Sequence, residues 1–179
     1  MKGIVFTEFL EMIEARHDGD FADDLIVTAG LPHDGAYTAV GTYPHTEMVA
    51  LVVRYSAMSE IPVPEVLKGF GRHLFERFAV LYPVFFDQVR CPLDFLGTIE
   101  DVIHVEVRKL YPDAELPRFD AVRPEPGVLE LTYRSERHLA DLAEGLIEGC
   151  VKHFGVPHEI ERGDAESDGS VRFRIRKIA

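Results

Sequence analysis

Tryptophan is absent, and cysteine occurs twice, at Cys91 and Cys150, with no CxxC pair. This excludes a disulfide framework and a zinc ribbon, both of which need clustered thiols; the two cysteines read as small core hydrophobes. Long apolar runs are missing too. None approaches the roughly 18 to 20 residues of a membrane span, and Met1-Lys2-Gly3 followed by Glu8 and Glu11 lacks the apolar stretch of a signal peptide. The expectation is a cytoplasmic protein without membrane contact. Basic residues are few: 19 Lys and Arg against 31 Asp and Glu give a formal charge of −12. That sign opposes a phosphate backbone, so no nucleic-acid partner is expected. Internal repeats and low-complexity tracts are also lacking.

What is present suffices for one domain with a real core: 179 residues, 46% of them hydrophobic. Helical spacing of apolar residues predicts helices over residues 2–16, 21–29, 46–56 and 64–82, the last stopped by Pro83. A further helix over 93–110 has a break near Gly97 and ends at Tyr111-Pro112. After Pro117, residues 118–122 and 128–133 read as strands around a turn at 124–127. A helical stripe follows from Leu139 to Phe154, and a last hairpin turns at 164–169. The expected class is α+β, with a helical N-terminal lobe (1–60) and a second lobe (61–179) of about four antiparallel strands and one long helix.

Two features carry chemistry. His104 stands among apolar neighbours, with Val107, Arg108 and Tyr111 on the same helical side. It reads either as a satisfied boundary histidine or as the single axial ligand that a haem iron needs and a zinc ion, wanting about four ligands, does not. The stretch Leu131-Thr132-Tyr133-Arg134-Ser135-Glu136-Arg137, if extended, places Tyr133, Ser135 and Arg137 on one face and Arg134 and Glu136 on the other. A phenol, a hydroxyl and a guanidinium suit carboxylate groups such as haem propionates; they equally suit a solvated outer sheet face.

These residues resemble the haem-nitric oxide/oxygen binding (H-NOX) family of bacterial gas sensors and soluble guanylate cyclase. The likeness rests on Met1-Lys2-Gly3, Phe70-Gly71-Arg72, His104 followed by Lys109-Leu110-Tyr111-Pro112, Pro117, Tyr133-x-Ser135-x-Arg137 and the Leu142–Gly149 helix. The resemblance implies His104 as iron ligand, Tyr133, Ser135 and Arg137 on the propionates, and Pro117 pressing the porphyrin out of plane. It also implies that Val5, Phe9, Leu74, Phe78 and Leu142 line the distal pocket. Without a CxxCH motif the cofactor is expected to be noncovalent haem b, protohaem IX.

Oxygen-binding members carry a tyrosine nine residues after the motif tyrosine; here that position is Leu142. The implied ligands are therefore nitric oxide and carbon monoxide, with little stable O2 complex. Ala140 stands where relatives that hold zinc place a cysteine, so zinc is not expected, and His73 is expected to point away from the pocket. Signalling, by resemblance, runs through loss of the iron–His104 bond to a separate partner, a histidine kinase or a cyclic-di-GMP enzyme. Gly71 reads either as a hinge or as a site of close packing. A non-haem binder of an apolar ligand is the main alternative. An enzyme fits less well, since no GxSxG or HExxH motif occurs.

Overall fold

The computed structural model describes residues 1–32, 34–87 and 89–178. Four helices open the chain: α1 (Gly3–Arg16), α2 (Gly19–Ala29), α3 (His45–Ser59) and α4 (Val63–Leu81). On α1 the residues Phe6, Phe9, Met12 and Ile13 recur at helical spacing and are buried. The Asp18 side chain accepts from the Phe21 amide (2.9 Å) and caps α2, a bond that contributes about 1 kcal/mol. Gly30, at φ 63°, ends the same helix in the left-handed region.

The helix expected over 93–110 is three pieces: α5 (Pro92–Gly97), a π-helical segment (Ile99–Ile103) and α6 (His104–Leu110). Gly97 weakens the helix there, and the Thr98 hydroxyl donates back to the Phe95 carbonyl (2.8 Å), closing α5. Beyond it the His104 amide reaches back five residues, to the Ile99 carbonyl.

The strands β1 (Arg118–Val122), β2 (Val128–Arg134), β3 (His158–Arg162) and β4 (Val171–Lys177) form one antiparallel sheet in the order β1-β2-β4-β3. Helix α7 (Ala140–Phe154) lies between β2 and β3 in sequence. Leu129, Leu131 and Tyr133 on β2 sit opposite Ile175, Phe173 and Val171 on β4. Together with Ile147 and Cys150 of α7 they make one buried cluster. A second cluster gathers Phe6, Phe9, Leu25, Leu51, Tyr55 and Phe70 among the N-terminal helices. The whole is α+β, as the sequence predicts.

Helix α4 serves both clusters, burying Val66, Phe70 and Leu74 in one and Phe75 in the other. It packs along α7 through glycines. A Cβ on Gly71 would lie 2.4 Å from the Leu142 carbonyl oxygen, and one on Gly145 would lie 2.2 Å from that of Lys68. Of the two readings of Gly71, close packing is the one the structure supports.

Candidate functional site

Between the two clusters lies a cavity of about 700 Å³, within the range of sites for sizeable small molecules. Its wall is largely apolar. Ile4 and Val5 come from α1, Leu74 and Phe78 from α4, Leu142 and Leu146 from α7, and Ile103, His104 and Val107 from the π segment and α6. Pro117, Tyr133, Ser135 and Arg137 also line it, so nine of the ten residues singled out in the sequence meet there.

Phe9 does not line the cavity. It lies one turn beyond Val5 on α1 and is fully buried, its ring edge-on to Phe70 (5.0 Å between centroids) and Tyr55 (6.1 Å) in the helical core. His73 likewise turns away, as expected, with Nε2 3.5 Å from the buried Glu8 carboxylate. Arg108, assigned by spacing to the same side as His104, shares the Glu100 carboxylate with it, donating at 3.0 Å while its own side chain stays half exposed.

His104 is buried, and its Nδ1 lies 3.0 Å from Glu100 Oε2. A carboxylate accepts, so Nδ1 carries the hydrogen and Nε2 keeps the lone pair. Glu100 receives two more hydrogen bonds, from the Phe119 amide (3.2 Å) and from Arg108 (3.0 Å). Burial alone pushes the Glu100 carboxyl up, but the bonds from Arg108, Phe119 and His104 outweigh it and hold the group below its ordinary range. Burial pushes His104 down, against the pull of Glu100, so the ring favours its neutral, ligating form.

The polar edge differs from the expected strand. β2 ends at Arg134, and residues 135–137 turn. Ser135 Oγ accepts from the Arg137 amide (3.2 Å), and Arg137 still lines the cavity although the chain is no longer extended. Tyr133 accepts from the Leu139 amide (3.1 Å), leaving its O–H to donate; burial pushes its phenol up, keeping it protonated. Arg137 gives two bonds to Glu115, at the carbonyl (3.1 Å) and the carboxylate (2.6 Å). Since a guanidinium has five donors, some remain.

Spacing did not reveal Glu100 or Tyr82; it set Tyr111 on the side of His104 without giving it a role. Tyr82 at the end of α4 and Tyr111 at the end of α6 both line the cavity, and burial first, then the nearby Tyr111, pushes the Tyr82 phenol up. A tyrosine before a proline at a helix end was the available signal; the meeting of the two ends was not.

The model of the haem-NO-binding family matches residues 2–162 of this chain. The chain belongs to that family, the H-NOX proteins. Among solved H-NOX structures, the unliganded Fe(II) protein from K. algicida is 36% identical, with a TM-score of 0.92 over 100% of this chain and 97% of that one. The Shewanella woodyi protein, solved in the Fe(II)CO state with IWP-051 bound, is 38% identical, with a TM-score of 0.86 over 99% and 95%. The S. oneidensis protein in the Fe(II)NO state is 27% identical, with a TM-score of 0.93 over 100% of both chains. No curated protein matches.

The H-NOX cavity of this chain suits a haem on its own chemistry. One neutral imidazole with a free nitrogen could ligate an iron, the apolar walls could accept a porphyrin, and a phenol, a hydroxyl and an arginine in the same lining could bind carboxylates.

Proposed function

We propose that this chain senses nitric oxide at a noncovalent ferrous haem b and passes the signal to a separate effector protein. The single observation that carries the reading is the lone buried imidazole, fixed at Nδ1 by Glu100, in an apolar cavity edged by Tyr133, Ser135 and Arg137. His104 supplies Nε2 as the iron ligand. Tyr133, Ser135 and Arg137 hold the propionates by charge-assisted hydrogen bonds, and Pro117 bears on the macrocycle from its place in the wall. Val5, Leu74, Phe78 and Leu142 line the gas side and keep it free of water.

Haem, when bound, would supply a ferrous iron able to take NO or CO, and NO would weaken the iron's hold on His104. With Leu142 in the wall rather than a hydrogen-bond donor, little stable O2 complex forms. Were that tether broken, α6 and the π segment would be the pieces free to shift relative to β1, to which Glu100 joins them through the Phe119 amide. An effector that distinguishes the two arrangements reads the difference in free energy between them. A histidine kinase or a cyclic-di-GMP enzyme in the same cytoplasm fits this role, and the domain itself performs no catalysis. Among the described residues no helix is long and apolar enough to cross a membrane.

The test is an absorption spectrum of the reduced protein under argon, in air, and with NO or CO. A Soret band that CO and NO shift, with NO giving the band of a haem detached from its histidine, and that air leaves without an oxy form, is the expected result. A colourless protein that takes up a lipid or linear tetrapyrrole instead overturns it.

A further inference from the structure

The carboxylate of Glu100 is fixed by three donors on two elements, α6 and β1. Its Oε2 accepts from His104 Nδ1 on α6 (3.0 Å) and from the Phe119 amide on β1 (3.2 Å), while Oε1 accepts from Arg108 one turn beyond His104 (3.0 Å). Glu100 itself sits in the π-helical segment, where the backbone ladder widens to five residues immediately before His104. Such single-turn π segments are frequent at functional sites. With sheet and helix both gripping the carboxylate, the imidazole docks against a negative charge that cannot swing away.

A carboxylate on the far nitrogen of a ligating imidazole fixes the tautomer and increases the basicity of the near nitrogen. We propose that Glu100 is a positioning residue that sets the strength of the bond from His104 Nε2 to iron, with Arg108 as its counterweight. The proposal rests on the haem reading above. Arg108 draws on the same carboxylate from the other oxygen, so the charge presented to His104 is the balance between the two contacts. Any gas that must break the iron–histidine bond works against this balance, which makes the Glu100–Arg108 pair the element that tunes how readily the sensor releases its tether.

Two variants move the bond in opposite directions, which a merely structural role does not. Glu100→Gln keeps the shape and one acceptor but removes the charge; the iron–histidine stretching band in the resonance Raman spectrum of the reduced protein moves to lower wavenumber. Haem loss to a scavenger protein quickens about 10-fold or more, the usual scale for such outer-shell changes. Arg108→Leu frees the carboxylate from its competitor, and the band moves up. Bands that stay put, or move the same way in both variants, overturn the proposal.

The haem-free protein gives an independent reading. Two-bond 15N–1H NMR of His104 shows the Nδ1–H tautomer in the wild type and a mixture in Glu100→Leu; an Nε2–H tautomer in the wild type overturns the proposal. If the wild type takes up no haem at all, the sensor reading fails, while the tautomer result still reports on Glu100 by itself.

Discussion

Arg137 and Arg134 stand three residues apart with opposite assignments, and they make a controlled pair. Arg137 is partly buried at the cavity edge, whereas Arg134 is exposed and pairs with Asp120 at 2.9 Å. A hydrogen bond to a charged group contributes about 1.5–3 kcal/mol, or roughly 10- to 150-fold in affinity. Arg137→Gln is therefore expected to weaken haem retention by about that factor, measured by transfer to a scavenger protein, and Arg134→Gln to leave it unchanged. Equal losses in the two variants would sink the assignment of faces. Alternation along Leu131–Arg137 separates these two arginines correctly from sequence alone, although its premise holds only as far as Arg134; the turn at Ser135 preserves the outcome. Glu100 was not legible in the same way. It lies four residues before His104, a spacing that also fits an ordinary surface pair, and its grip by the Phe119 amide depends on a strand 19 residues further on.

Between elements, the decisive contact is the glycine seam of α4 and α7. At Gly71 and Gly145 an added methyl meets backbone oxygen at 2.4 and 2.2 Å, and backbone cannot rotate aside. Gly71→Ala and Gly145→Ala are each expected to destabilise the fold by about 1–3 kcal/mol in urea unfolding. Gly69→Ala lies on the same helix but meets only the flexible ends of Arg16 at 3.5 Å and Arg72 at 3.7 Å; it should stabilise by about 0.5–1 kcal/mol through helix propensity. If all three behave alike, the seam is not tight. The helices themselves were readable because each buries one stripe, and both hairpins because turn residues bound alternating runs. The π segment escaped because apolar spacing across Ile99, Ile103 and Val107 satisfies an α-helix equally well; hydrogen-bond register leaves no trace in composition.

At the level of the whole molecule, the ionisable groups share one direction of response to acid. Burial holds His73 below the ordinary histidine value of 6.5, so as pH falls the unfolded chain takes up its proton first and stability declines from there. Asp113 lies below the ordinary 3.8 because of Thr42 and then Lys2, and Asp94 because of Cys91 and then Arg123. Their contributions are whole above the ordinary carboxylate value and drain away as pH drops through the folded values. Urea midpoints are thus expected to fall steadily from pH 7.5 to 5.5 to 4; a midpoint that rises toward acid contradicts these environments. The glycine seam has a mechanical corollary as well. Leu74 and Phe78 reach the cavity from one helix of the welded pair and Leu142 and Leu146 from the other, so this half of the chamber behaves as a single stiff plate. Whatever swelling or shrinking a guest imposes must then be absorbed on the opposite, jointed half, where His104 and Pro117 are carried by short pieces of chain.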